Sequence, residues 1–348
     1  MYEIDFLPVE SANGPGSKSG DAIAMRFSVG SDSAVVVIDG GFTDTGDDLA
    51  AHIKKYYETA YIDLMISTHP DADHINGLAR LMEQTTVGEL LVHRPRLHAR
   101  DVTEFSNIEA VDNLIKVATD AGVKVTEPFT GLTRFGDQIR ILGPTEAYYE
   151  DLLTQSLDQE RSGFAAKSRL LASLELSSEV DFLKRFLQFM PEETLTDEVE
   201  TSPRNSTSVI TLLTVDGHRF MFTGDAGIQS LEKAADEYER VYGAFNVRGL
   251  KFFQGPHHGS RRNLGPTILD RMFGTESSPF GSFDSIISSA KASTKHPSPK
   301  VVNALKRRGG RVYATEGTTI CEPSIDAPSR GWITLDPLPT LVEDDDAE

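Results

Sequence analysis

Residues 67–78 read Ser-Thr-His-Pro-Asp-Ala-Asp-His-Ile-Asn-Gly-Leu, which places His69, Asp71, Asp73 and His74 within six consecutive positions. The run 62–68 before them is apolar and has the length of a buried strand. The spacing of apolar residues over 75–83 predicts a helix after them. The four side chains therefore share a tight loop at a strand's carboxyl end, where neighbours can point in different directions. Two histidines and two aspartates gathered without compensation would repel one another, and desolvating them would cost several kcal/mol. Cations remove that penalty, so the segment reads as a metal site in preference to a solvated polar loop.

The remaining chain supplies a frame for such a loop. Strands are expected over 3–9, 21–28 and 34–39, and a helix over 47–58. Alternation follows: a strand at 87–93, a helix at 108–121, and strands near 123–127 and 138–142. A second half repeats the theme. It has strands at 208–215, 219–223, 250–254, 283–288, 311–315 and 331–335, and helices at 228–242, 266–272 and 299–308. Two strand-rich halves with helices between them suit a four-layer αββα sandwich. Residues 145–201 break the alternation; they are acidic and nearly all helical, with helices expected at 147–157, 165–176 and 180–189. That stretch reads as an insertion serving as an appendage or dimer surface, ahead of a lid. The loop 13–20, Asn-Gly-Pro-Gly-Ser-Lys-Ser-Gly, lacks phosphate-loop spacing and leads into a strand, so it reads as a turn.

Three more strand ends carry reactive residues. In Phe220-Met221-Phe222-Thr223-Gly224-Asp225-Ala226, an aspartate follows a very apolar run. It can bridge two cations or cap the helix that follows, and taken alone capping is the better reading. Gly255-Pro256-His257-His258-Gly259-Ser260-Arg261-Arg262 sets adjacent histidines on a strand-terminal loop, one a ligand and the other its partner. Ser260, Arg261 and Arg262 suit phosphate oxygens. Lys295-His296-Pro297 adds a histidine that alone reads as a surface or helix-start residue. All share a place where α/β sandwiches gather their sites.

The order H-x-D-x-D-H, G-D, H-H-G-S and H-P resembles the metallo-β-lactamase superfamily. Within it, the pattern is similar to the hydrolase domain of the ComEC-type DNA-uptake channel and its free-standing relatives. Gly20-Asp21-Ala22-Ile23, Val37-Ile38-Asp39-Gly40-Gly41 and Arg204-Asn205-Ser206-Thr207-Ser208 resemble further segments of that group. The resemblance spans most of residues 1–337 outside the insertion and implies an α/β, four-layer αββα metallo-β-lactamase sandwich with a helical insertion. It implies two divalent metal ions, Zn²⁺ or Mn²⁺. His69 and Asp71 would hold the first, Asp73 and His74 the second together with His257 or His258, and Asp225 would bridge them. Asp39 and Asn205 would stand behind these ligands, Asp39 orienting one of them. Asp71 replaces the superfamily's second histidine and Asn205 occupies the stretch of another, which enriches the site in oxygen and makes Mn²⁺ a natural occupant beside Zn²⁺. His93 and His98 follow a strand and are further candidates as ligands or phosphate contacts.

The expected activity is hydrolysis of a phosphodiester, in a nucleic acid or nucleotide, by a metal-activated water. Asp73 would orient the water, and His296 would serve the leaving group. The alternatives are hydrolysis of a carboxylic ester, lactone or thioester, and a non-catalytic metal-binding module. A net charge of −19 disfavours non-specific duplex DNA binding at long range. The single cysteine, Cys321, excludes an intrachain disulfide and a cysteine-based zinc cluster. With no signal-like N-terminus and no membrane-length apolar run, a cytoplasmic protein with no membrane association is expected. A homo-oligomer or protein partner is compatible with the sequence. Residues 338–348 read as a disordered acidic tail.

Overall fold

The computed structural model describes residues 1–10, 18–167 and 192–343. Most of the expected turn at 13–20, most of the helix at 165–176, all of that at 180–189, and residues 344–348 lie outside the described residues.

Strands β1 (Tyr2–Phe6), β2 (Ala22–Val29) and β3 (Asp32–Gly40) form an antiparallel meander. Strands β4 (Tyr61–Ile66), β5 (Thr86–Leu91) and β6 (Lys124–Thr126) extend it in parallel. The second sheet begins with the antiparallel strands β7 (Thr133–Arg134), β8 (Ile139–Gly143), β9 (Ile210–Val215) and β10 (His218–Phe222). After β11 (Phe252–Gln254), a small hairpin of β12 (Gly274–Thr275) and β13 (Ser278–Pro279) intervenes before β14 (Phe283–Ile287) and β15 (Gly310–Ala314). Strands β10, β11, β14 and β15 are mutually parallel. Each sheet thus carries an antiparallel half and a parallel half. Finally β16 (Ile320–Pro323) returns to pair with β1, making the first sheet seven-stranded like the second.

Helices cover both outer faces. On the first sheet lie α1 (Thr45–His52, continued by a wider π-turn at Ile53–Tyr57), α2 (Ala72–Met82), α3 (Pro95–His98), α4 (Ile108–Asp120) and the start of α5 (Glu146–Lys167). After the short α6 (Pro203–Ser206), α7 (Ile228–Tyr242), α8 (Pro266–Phe273) and α9 (Pro299–Arg307) cover the second. Ile4, Phe6, Met25, Ile38 and Ile66 meet Leu213, Phe220, Phe222, Phe252 and Ile286 between the sheets. The chain is therefore a four-layer αββα sandwich. Coverage on both faces explains why β4 is apolar almost throughout and does not alternate: Ile62, Leu64, Met65 and Ile66 are all buried. In α2, Ile75, Leu78, Leu81 and Met82 recur at helical spacing and face that sheet.

Two local departures have physical causes. The alternation over 331–335 mimics a strand, but β16 already occupies the free edge of β1, so these residues have no ladder partner and Ile333 is 84% exposed. Residues 338–343, assigned to the tail on composition, are packed. Leu341 is buried and its backbone exchanges hydrogen bonds with the Asn303 side chain, while Glu343 pairs with Arg307 at 2.9 Å. Among the described residues no helix is long and apolar enough to cross a membrane.

The start of α2 lies directly against the end of β3. Gly77 donates its N–H to Gly41 O at 3.0 Å, and a Cβ there would collide with the carbonyl oxygen of Gly40 and stand 2.7 Å from that of Phe42. Replacing Gly77 by Ala should therefore cost about 1–3 kcal/mol through overpacking, read as a lowered urea midpoint.

Candidate metal centre

The site forms where the parallel strands of both sheets end. The loop 67–71 leaves β4, the loop 223–227 leaves β10, the loop 255–260 leaves β11, and residues 288–298 leave β14. Main-chain hydrogen bonds hold these loops together, from Val209 N to Thr68 O (3.0 Å), His257 N to Gly224 O (3.1 Å) and Asp21 N to Asp73 O (3.1 Å). Asp39, His257 and His258 adopt positive φ values of 57°, 48° and 57°. Such left-handed residues other than glycine are costly, and they cluster where tertiary structure holds a functional bend in place. Here the bend sets the two histidine rings 71° apart.

Each histidine at the centre has one ring nitrogen engaged and the other bare. His74 Nδ1 lies 2.8 Å from Asp39 Oδ2, so it donates to the carboxylate. Thr68 Oγ1 donates to the same oxygen at 2.6 Å, which leaves it to accept from His69 Nδ1 at 3.0 Å. His258 Nδ1 faces the carbonyl oxygen of Ser288 at 3.0 Å, which only accepts. At His257, Nδ1 lies 2.9 Å from Asn263 Oδ1, because the Asn263 amide nitrogen donates to Asp225 O. Every Nε2 lone pair is thereby directed at the carboxylates. His74 Nε2 lies 3.3 Å from Asp225 Oδ1, His69 Nε2 3.6 Å and His257 Nε2 3.6 Å from Asp225 Oδ2, and His258 Nε2 3.6 Å from Asp73 Oδ2. The buried Nε2 atoms of His69, His74 and His258 and the Oδ1 atoms of Asp225 and Asp21 have no hydrogen-bond partner. Nδ1 tied back and Nε2 bare is how proteins present imidazole to a divalent cation. The donor set fits one.

Electrostatics give the same reading. Burial favours the neutral acid at Asp225, but the charges of His257, His74, His258 and His69 hold its carboxyl well below the usual range. Burial likewise opposes a charged His258, yet Asp225, Asp73 and Asp21 raise it to about 9. For His74, Asp225 and Asp39 outweigh burial in the same way. Asp71 and Asp73 are likewise held below the usual range by neighbouring charge, whereas burial pushes Asp21 up, so the cluster as a whole favours positive charge among its carboxylates.

The predicted residues are not all equivalent. Ligand atoms of Asp73, His74 and His258 lie within 4.8 Å of one another, as do those of Asp39, His69 and His74, and those of Asp21, Asp225 and His258. His258 belongs to these groups, whereas the His257 ring sits at the rim with its side chain 33% exposed. Asp71 occupies the N-cap position of α2 without capping it; its carboxylate instead meets Arg204, with Nε 2.5 Å from Oδ1. Asp225 does not cap α7 either, since Gly227 holds that position. Asn205 Nδ2 reaches Asp225 Oδ2 at 3.3 Å and lies 3.4 Å from His257 Nδ1. The His296 ring stacks against His257, 6.1 Å between centroids. Burial, reinforced by the charges of His258 and His257, pushes that imidazole down to about 3. Ser260 is buried and its hydroxyl accepts the Arg262 N–H at 3.2 Å, while Arg261 is half-buried and Arg262 exposed on the same loop.

His93 and His98 stand apart from this group. His93 stacks on Tyr149 at 4.2 Å, and burial, with the charge of His98, pushes it down to about 3. It lines a cavity of about 10 Å³ that also touches Thr68 and His69. His98 sits between Glu150 and Glu127, at 3.0 Å from each. Two residues the sequence reading did not assign also belong here. Asp21 was visible only as part of the Gly20-Asp21-Ala22-Ile23 segment, and Arg204 only as the neighbour of Asn205. Neither carries a spacing signal, because each is delivered from a distant loop.

The family profile described as Metallo-beta-lactamase superfamily matches residues 27–272. No curated protein matches the chain. Among solved structures, it is similar to the metallo-beta-lactamase fold protein YhfI from Bacillus subtilis, with 10% identity over 92% of this chain and 99% of that one and a TM-score of 0.44. A metallo beta lactamase from Hirschia baltica aligns at 11% identity over 69% of this chain and 80% of that one, with a TM-score of 0.29. Superpositions this loose add nothing to the family match.

Replacing Asp39 by Ala would leave Thr68 N–H, Thr68 O–H and His74 Nδ1 without their acceptor. A loss of about 1–3 kcal/mol for each group left unpaired is expected by chemical denaturation. At His98 burial opposes the charge, but Glu150 and Glu127 raise its pKa. Its contribution is therefore full below the ordinary histidine value near 6.5 and is lost as pH rises through the raised value. Urea midpoints followed upward from pH 6 should fall in the native chain, and His98→Asn should flatten that dependence.

Proposed function

Because the chain belongs to the metallo-β-lactamase superfamily, we propose that it is a metal-dependent hydrolase acting on phosphodiesters. The observation that carries this reading is the convergence of three buried, unpartnered Nε2 atoms and two unpartnered carboxylate oxygens at one set of strand ends. Two cation positions are assigned to these donors. Asp73, His74 and His258 would hold one, His69 and Asp71 the other with His257 at its rim, and Asp225 would contribute to both. Divalent cations bound there supply Lewis acidity and lower the pKa of a water from about 15.7 toward 7.

The chain's own residues do the rest. Asp39 holds the His74 ring directly, and His69 through Thr68, so that neither turns when substrate arrives. Asp73 Oδ2, 3.6 Å from His258 Nε2, is placed to orient the attacking water. Its 26% side-chain exposure gives the water access. His296 is neutral at physiological pH on the direction of its shift, so one ring nitrogen can donate a hydrogen bond to the leaving oxygen. Phosphodiesters are favoured over carboxylic esters because the site's rim carries guanidinium groups, Arg204 beside Asp71 and Arg261 and Arg262 after the histidine pair. The resemblance of the strand-end pattern to that of ComEC-type hydrolases supports the same choice. With a net charge of −19, long duplexes are repelled, and short single strands or nucleotides are the preferred substrates.

Bis-p-nitrophenyl phosphate, p-nitrophenyl acetate and nitrocefin separate the reactions. Turnover of the first alone, dependent on added Mn²⁺ or Zn²⁺, is expected. Asp225→Ala should lose both bound metal and turnover, by more than about 100-fold. Hydrolysis of only the acetate ester would transfer the site to the carboxylic-ester reading. Stoichiometric metal with no turnover of any of the three would make the chain a binding module.

A further inference from the structure

We propose that Asp21 is a direct cation ligand, and that it makes the position it shares with Asp73, His74 and His258 prefer Mn²⁺ over Zn²⁺. The inference rests on reading the site as a cation centre, and adds to it a donor that lies outside the ligand motifs.

Asp21 enters the centre from the other end of the first sheet's chain order, at the start of β2. Gly20 packs so closely on the ligand loop that a Cβ would collide with the carbonyl oxygen of Asp73, and Asp21 N–H donates to that same oxygen at 3.1 Å. The side chain is 1% exposed by residue, with Ser288 beside it and His74 Nδ1 3.7 Å from Oδ2. Gln254 Nε2 donates to Asp21 Oδ2 at 2.9 Å. The orientation of that amide is fixed, because Gln254 Oε1 accepts from Thr223 N at 2.9 Å and from Gly224 N at 3.3 Å. Asp21 Oδ1 has no partner. One ligand atom from each of Asp21, Asp225 and His258 falls within 4.8 Å of the others, and His258 is common to the group with Asp73 and His74.

A buried carboxylate that served only to hold Gln254 would be an expensive way to accept one hydrogen bond, since asparagine would do the same without a charge. A cation beside the bare Oδ1 would offset that cost. With Asp21 included, the donors at this position are three carboxylates (Asp21, Asp73, Asp225) and two imidazoles (His74, His258). Carboxylate-rich sets suit hard cations such as Mn²⁺, whereas imidazole-rich sets suit Zn²⁺. Removing one carboxylate should therefore penalise Mn²⁺ more than Zn²⁺.

The test uses the full chain, stripped with chelator and titrated separately with Mn²⁺ and Zn²⁺ against a fluorescent competitor. In Asp21→Asn, which keeps the shape and an acceptor for Gln254, Mn²⁺ affinity is expected to fall about 10–100-fold. Zn²⁺ affinity should fall far less, so the ratio of the two moves toward zinc. Unchanged Mn²⁺ affinity, or equal losses for both ions, would overturn the assignment. Should Asp21→Asn fail to fold, Gln254→Leu takes its place: it frees the carboxylate without removing its charge, and the same shift in ratio, smaller in size, is required. Failure of the underlying reading is visible separately, because the native chain would then bind neither ion.

Discussion

Asp39 accepts hydrogen bonds from Thr68 N, Thr68 Oγ1 and His74 Nδ1, at 2.8, 2.6 and 2.8 Å. Through that one carboxylate the end of β3 is joined to the end of β4 and to the first turn of α2. The consequence reaches beyond the contact itself. It fixes the tautomers of two imidazoles, directly for His74 and through Thr68 for His69, and so points both Nε2 atoms at Asp225 on the other sheet. The close approach of Gly77 to Gly40 lets this happen, because any side chain at 77 would lift α2 and carry His74 away from Asp39.

The two sheets contribute unequal halves. The first brings Asp21, Asp39, His69, Asp71, Asp73 and His74, mostly from one loop. The second brings Asp225, His257 and His258 from two neighbouring parallel strands, together with the groups that aim them, Ser288 O and Asn263. Five buried or half-buried carboxylates and four imidazoles meet at the seam. Such a collection requires positive charge among the carboxylates.

Much of this was legible in the residues. Closely spaced ligands after an apolar run, and the recurrence of Asp225, His257 and His258 at strand ends, locate the centre because strand periodicity and loop position are local properties. The αββα layering follows from the repeated alternation of strand and helix signals. Local patterns also misled. Residues 331–335 alternate like a strand but have no edge to join, and the acidic run that starts at Glu343 drew 338–343 into the tail although Asn303 and Arg307 clamp that segment.

Sequence alone pointed to metal chemistry, since His69, Asp71, Asp73 and His74 within six positions are costly to bury without cations, and it pointed to the strand ends that gather the candidate residues. It left His257 and His258 undivided and left Asp21 and Arg204 without a place. Those were decided by the tertiary structure, for a physical reason. Which nitrogen of a ring is bare depends on an acceptor supplied by a distant strand, Ser288 for His258 and Asn263 for His257. Which groups meet a carboxylate depends on which loop packs against it: Gln254 and the Asp73 loop at Asp21, Arg204 of α6 at Asp71. Neither is written in the spacing of neighbouring residues, because both are settled by contacts between residues far apart in the chain.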